Sequence, residues 1–176
     1  MSAKAGAHSV IRRATPADIP ALRTIYNEAV AERIATADLE PKSLEERRAW
    51  FAQFSDAFPL FVLERASGAA AAVLAYGGIA PYSTRDGYRH TGEILVYVAG
   101  AARSQGLGRR VLEHVLAAAP AAGIRYLHAR IFAHNEPSLK LHRALGFRDA
   151  GRLTRAACLD FAAGNWVDVV LLELHP

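Results

Sequence analysis

The stretch "YVAGAARSQGLGRRVLEHVL", Tyr97 to Leu116, changes period in its middle. It opens on the end of an apolar, strand-like run at Val98. It closes on apolar residues spaced for one face of a helix. Between them lie a small-residue loop and two glycines, Gly106 and Gly108, where the helix begins. Glycine costs a helix about 1 kcal/mol against alanine. Its use here makes sense if something must approach the backbone closely. Free N–H groups and the positive end of the helix dipole make such a helix start an anion site. Gly-x-Gly alone does not choose between that role and an ordinary loop. A dinucleotide fingerprint needs a third glycine where Val111 stands, and the Gly-Lys-Ser/Thr of a phosphate-binding P-loop is absent.

The rest of the chain sets this unit in a β-α-α-β-β-β-α-β-α-β-β order. A short strand at Ser9–Arg13 leads to a helix capped at Thr15 with Pro16 in its first turn. A second helix is expected over about 43–56, with Ser43 and Glu46 as a capping box. "PLFVLERA" and "AAAVLAYGGIA" read as strands around a turn at Ser67-Gly68. "APYSTRDGYRH" is a loop, "TGEILVYV" a strand, and the glycine-led helix runs to about Ala119. "IRYLHARIF" is a strand. "NEPSLKLHRALGF" is a helix with Asn135 as its cap and Gly146 at its C-terminus. "RDAGRLTRA" and "NWVDVVLLEL" are the last strands. Strands alternating with helices predict an α/β domain around one mixed sheet. A flexible N-terminus over 1–8 and a single domain over 9–176 are expected from this pattern.

Composition narrows the partners. Of 176 residues, 52% are apolar and 22% charged, and the net charge is +4. The basic residues are 18 Arg and 3 Lys, scattered with no basic tract. That argues against nucleic acid as a partner and fits a small anionic ligand. The single cysteine, Cys158, predicts no intrachain disulfide and a reducing, cytoplasmic setting. No apolar run approaches the roughly 18 residues that cross a membrane, so no membrane partner is expected. The histidines show no metal-ligand spacing, and no metal is predicted.

"RSQGLGRRVL", preceded by "ILVYV" and followed by "NEPSLKLHRALGF", resembles the GNAT acetyltransferase superfamily over nearly the whole chain. "APYSTRDGYRHTGEILVYV" and "GNWVDVVLLEL" narrow the resemblance to its phosphinothricin / methionine-sulfoximine acetyltransferase branch. The resemblance implies a GNAT fold: a central sheet of about seven strands flanked by about four helices. The fourth strand, about 91–98, and the fifth, about 125–132, would splay apart to admit pantetheine. It implies acetyl-CoA as the acyl donor, a small amino-acid-like acceptor, and a homodimer. The pyrophosphate would lie over Arg103, Ser104, Gln105, Gly106, Leu107, Gly108 and Arg109. Pantetheine would meet Val96, Tyr97 and Val98 as well as Asn135 and Ser138. Tyr82, Arg85 and Tyr88 would hold the acceptor, with Arg85 clamping its carboxylate.

Glu93 is the residue that stands out in "TGEILVYV". Period-two alternation puts Glu93, Leu95 and Tyr97 on one face, and Ile94, Val96 and Val98 on the other. A carboxylate in an apolar strand reads either as an edge group paired with Arg89 or as a general base for an ammonium substrate. By resemblance it is the base. His142 occupies the position from which many members return a proton to the CoA thiolate. The chain departs from the branch pattern at Ala37, at Ile94-Leu95 and over Cys158–Ala163, all regions that bear on the acceptor. Other readings are an acetyltransferase for a different small amine or a protein N-terminus, and a CoA-binding module without catalysis.

Overall fold

The computed structural model describes residues 9–65 and 72–176. The expected flexible terminus at 1–8 and the turn at Ser67-Gly68 lie outside the described residues. The strands are β1 (Ser9–Arg13), β2 (Leu60–Arg65), β3 (Ala72–Pro81), β4 (Thr91–Val98), β5 (Tyr126–Phe132), β6 (Arg148–Asp160) and β7 (Asn165–Leu174). The helices are α1 (Ile19–Glu32), α2 (Leu44–Phe51), α3 (Leu107–Ala118) and α4 (Glu136–Ala144). One seven-stranded sheet runs β1-β2-β3-β4-β5-β7-β6. Every neighbouring pair is antiparallel except β4 and β5, which are parallel.

The two faces of β4 lead to two separate cores. Ile94 is buried beneath α3 among Val111, Leu112, Leu127 and Leu172, with Val96 and Val98 packed against that cluster. Leu95 and Tyr97 pack on the other side against Leu22 and Ile25 of α1 and Tyr76 of β3. The alternation read from the sequence therefore decides which helix layer each residue meets. Glu93 follows Leu95 and Tyr97 onto the α1 face.

Three boundaries differ from the sequence pattern, each for a local reason. Pro16–Asp18 form a 3-10 turn, and the α-helix starts only at Ile19. The Asp18 carboxylate accepts from the backbone N–H and hydroxyl of Thr15 at 2.7 and 3.0 Å, and from Arg12, which ties the turn to β1. The Ser43–Glu46 capping box is present, but α2 ends at Phe51. Beyond it the chain turns back through i→i−3 bonds, so Phe54 lands edge-on against Trp50 at 4.6 Å. β6 reaches Asp160 instead of stopping near Ala156. The added length carries Cys158 and Leu159 into buried positions. It then closes as a hairpin in which the Asp160 carboxylate accepts from the N–H groups of Ala162 and Ala163.

Candidate active site

β4 and β5 pair for only three rungs: Thr91 with Tyr126, Gly92 with Leu127, and Glu93 with His128. Beyond them Ile94–Val98 and Ala129–Phe132 diverge, and a cleft of about 900 Å³ opens between the strands. The N–H of Ala99 bonds to the Leu74 carbonyl, on the β3 side. By alternation, the backbone groups of Val98 and Val96 point the other way, into the cleft. The Val98 carbonyl accepts from Arg103 Nε at 3.3 Å on that side. A strand edge left open in this manner can pair with an amide-bearing chain laid along it.

At the far end of the cleft, α3 begins. Among the described residues, no group accepts from the backbone N–H groups of Ser104 through Arg109, and the first bond of the helix runs from Arg110 N–H to the Gly106 carbonyl. Gly106 is left-handed, with φ of 74°, and a side chain there would meet nothing within 4 Å. Ser104 is left-handed too, an uncommon conformation for a residue with a Cβ. Gly108 serves differently: a Cβ there would lie 3.4 Å from Val98, so it lets α3 pack against the end of β4. The loop offers a row of unsatisfied donors at a helix N-terminus, and those donors fit the pyrophosphate of a coenzyme. Gln105 folds back onto the Ala101 carbonyl, and Arg109 is engaged by Glu113. Arg103 bonds Glu32 at 2.6 Å, so this arginine already ties the loop to α1.

Glu93 lines the cleft at its narrow end. Its surroundings differ from those read in the sequence. Arg89 donates to His90 and does not meet Glu93. Instead Arg130, on β5, forks onto Glu93: Nε and Nη2 each donate to one carboxylate oxygen at 2.8 Å. The pair is open to solvent, and exposed pairs of this kind contribute about 0.2–1 kcal/mol. His128 stands beside them with Nε2 buried and without a hydrogen-bond partner. Burial holds its pKa below the usual imidazole range, although Glu93 opposes that shift. On the same wall the Tyr26 hydroxyl donates to Asp38 at 2.7 Å, and burial pushes its pKa up to about 12.

α4 closes the cleft from the other side. The Asn135 side chain caps the helix by accepting from the Ser138 N–H at 3.2 Å, and its amide donates to the Ile34 carbonyl. His142 lies one turn on, only 3% exposed. Its Nδ1 sits 2.8 Å from the Ser138 carbonyl, which can only accept, so Nδ1 carries the proton. Burial lowers the pKa of His142, which keeps the ring neutral. A neutral ring with its N–H committed to a carbonyl has no proton to hand to a thiolate.

Tyr82, Arg85 and Tyr88 do not line the cleft. Tyr82 and Tyr88 meet edge to face at 4.9 Å, and Tyr82 also abuts His128 at 5.0 Å, which places the two tyrosines outside the narrow end. Arg85 is exposed on the same loop. Two residues were not singled out from the sequence. Arg130 is signalled by "HAR", which puts His128 and Arg130 together on one face of an otherwise apolar strand. Arg47 is buried, its guanidinium 3.5 Å from the centre of the Trp50 ring and 4.4 Å from that of Tyr26. It sits on a polar helix face, and the pattern gives no sign of its burial. Among the described residues no cluster of His, Cys, Asp or Glu is placed to hold a metal, and no helix is long and apolar enough to cross a membrane.

Residues 11–171 match the acetyltransferase (GNAT) domain family. The L-methionine sulfoximine/L-methionine sulfone acetyltransferase of Pseudomonas paraeruginosa is 35% identical over 166 residues, 94% of this chain and 93% of that protein. The phosphinothricin N-acetyltransferase of Streptomyces viridochromogenes is 33% identical, over 90% of this chain and 83% of its own. The crystal structure of a GNAT superfamily phosphinothricin acetyltransferase from Sinorhizobium meliloti in complex with acetyl-CoA superposes with a TM-score of 0.86. It is 28% identical, and the match covers 95% of this chain and 88% of that one. The parted parallel strands, the open glycine loop and these matches lead to one conclusion: the chain belongs to the GNAT acetyltransferase family.

Proposed function

We propose that the protein transfers the acetyl group of acetyl-CoA to the amino group of a small amino-acid-like acceptor, of the methionine sulfoximine, methionine sulfone or phosphinothricin type. The observation that carries this reading is the coincidence of Glu93 with the last rung between β4 and β5. A proton acceptor stands where the strand edge opens, and the row of free amides lies at the other end of the same cleft. The names of the relatives above support the acceptor class.

Acetyl-CoA supplies an activated carbonyl when bound; the remaining work belongs to the chain. The amides from Ser104 to Arg109 bind phosphate oxygens. The inward-facing backbone groups of Val96 and Val98 pair with pantetheine. An N–H of that edge donates to the carbonyl oxygen as it becomes negative, fixed in place by the β3 pairing on the other side. Tyr97, with its backbone groups turned toward β3 and its side chain packed on Tyr76 and Tyr26, holds that edge in place. Glu93 takes a proton from the acceptor ammonium, directly or through water, which frees the nitrogen lone pair for attack. The nitrogen sheds a second proton as the amide forms, and the departing thiolate takes one up, both by way of water. His142 then holds the first turn of α4 in place, with Asn135 and Ser138 beside the pantetheine. Tyr82, Arg85 and Tyr88 form an outer rim for the acceptor.

The enzyme is further proposed to be a cytoplasmic homodimer of single-domain chains spanning 9–176. β6 is exposed along most of its length, and Phe161 and Trp166 meet edge to face at 6.4 Å as exposed aromatics on the β6–β7 hairpin, which fits an interface. The deciding assay is acetyl transfer from acetyl-CoA to methionine sulfoximine, methionine sulfone and phosphinothricin, beside plain amines and a peptide with a free N-terminus. Transfer to the amino-acid-like acceptors is expected. Transfer confined to the peptide would replace this acceptor class.

A further inference from the structure

Arg130 has no task in the chemistry above, yet it stands against the proposed base. Of the arginines lining the cleft, Arg103 and Arg109 lie at the glycine loop and pair with Glu32 and Glu113. Arg130 lies at the other end. It follows His128, the register partner of Glu93, by two residues, and so shares the Glu93 face and reaches back diagonally across the opening. Its side chain is 60% exposed, against 26% for Glu93. The fork is thus bonded on one side and open on the other. A planar guanidinium in that state can exchange one carboxylate for another.

The proposed acceptor brings such a carboxylate, one carbon from its amine. Any amine placed beside Glu93 carries this group within reach of Arg130. Without an acceptor, each Glu93 oxygen accepts an N–H of Arg130, so two of the carboxylate's four lone pairs are engaged and two are left for the substrate proton.

We propose that Arg130 selects acidic acceptors by trading Glu93 for the acceptor carboxylate, which returns the engaged lone pairs to the base as an amino acid arrives. The inference rests on Glu93 being the base. In the step it controls, one proton passes from the acceptor ammonium to a Glu93 oxygen, and the guanidinium moves its hydrogen bonds to the acceptor carboxylate. An amine with no acidic group leaves the fork on Glu93 and is used poorly.

The test compares methionine sulfone with its carboxamide, in wild type and in Arg130→Gln and Arg130→Lys, with CoA binding by calorimetry as the control for folding. Wild type should prefer the free acid by about ten- to a hundredfold in kcat/KM, the scale of one charged hydrogen bond. Arg130→Gln should bring that preference to within about threefold of unity. It should lose activity on the acid mainly through KM, while its kcat on the carboxamide equals or exceeds that of wild type. Arg130→Lys, a charge without a fork, should fall between. A merely structural arginine would lower both acceptors together, and an equal loss overturns the proposal. So does a wild type that ignores the carboxylate. Full turnover in Glu93→Gln would instead remove the base, and with it the release step, while leaving any loss of acid preference in Arg130→Gln to stand as simple recognition. If wild type acetylates neither compound, the acceptor class fails and this inference fails with it.

Discussion

Glu93 faces His128 across the last rung that joins β4 to β5. The position is the crotch of the cleft: backbone pairing ends there, and the carboxylate stands at the first point where a ligand can enter between the strands. Replacement by glutamine keeps the shape and removes the proton acceptor. Glu93→Gln should lower kcat by about a hundred- to ten-thousandfold with methionine sulfone, with CoA affinity nearly unchanged. The deficit should shrink as pH rises, because more of the amine is already neutral. A loss below about threefold would falsify the base assignment.

Gly106 and Gly108 should respond differently, although the motif treats them alike. Gly106 needs φ of 74° and faces open space. Asparagine tolerates that conformation, so Gly106→Asn should bind CoA within a few-fold of wild type. Gly106→Asp adds a charge of the wrong sign and should weaken binding by about tenfold or more in calorimetry. Gly108→Ala presses a methyl group toward Val98 at 3.4 Å, and its effect should appear as a lower denaturation midpoint. Equal CoA affinity in all three variants would displace the pyrophosphate from this loop.

His142 ties activity and acid stability to opposite expectations. Its folded pKa lies below the unfolded value, chiefly through burial. The unfolded chain therefore binds a proton that the folded chain does not, and stability rises with pH across that interval. The contribution is whole above about 6.5, the unfolded value, and is lost as pH falls through the lower folded value. His128 adds a limb of the same sign. His142→Gln should flatten the decline of the urea midpoint between pH 7 and pH 5. Its kcat should fall far less than the roughly hundredfold that loss of a proton donor brings. A hundredfold loss of kcat with an unchanged midpoint would restore the proton-donor role.

Light scattering at micromolar concentration should give about twice the 19.0 kDa chain mass. Phe161→Glu and Trp166→Glu place charges on the exposed hairpin and should shift the protein toward the monomer. A monomeric wild type would remove the dimer.

Much of this was legible in one dimension. Alternation along "TGEILVYV" assigned each residue of β4 to its core, and the capping residues Ser43 and Asn135 are seen making their bonds. The glycine loop announced itself by breaking helix propensity. What the sequence hid was pairing between distant segments. Glu93 and Arg130 are 37 positions apart, and only the register of β4 on β5 brings them together. His128 and Arg130 were visible as polar intruders in a strand, but no local rule names their partner. Arg85 is put forward by the resemblance, and the loop that carries it folds outside the cleft. Arg47 was hidden for a related reason: its burial depends on Trp50 and Tyr26, one on its own helix and one on another.

The three rungs between β4 and β5 leave the two halves of the sheet with little backbone hardware in common. Beside the Glu93–Arg130 fork, what joins them is apolar: Val111 and Leu112 of α3 pack in one cluster with Ile94 from one half and Leu127, Ile131 and Leu172 from the other. The gape of the binding slot is therefore set by the volume of side chains wedged behind it. A methylene added or removed at Leu127 or Val111, neither of which lines the cleft, acts as a shim on its width. Evolution can retune this enzyme from behind the sheet, leaving every residue that faces the substrate as it is.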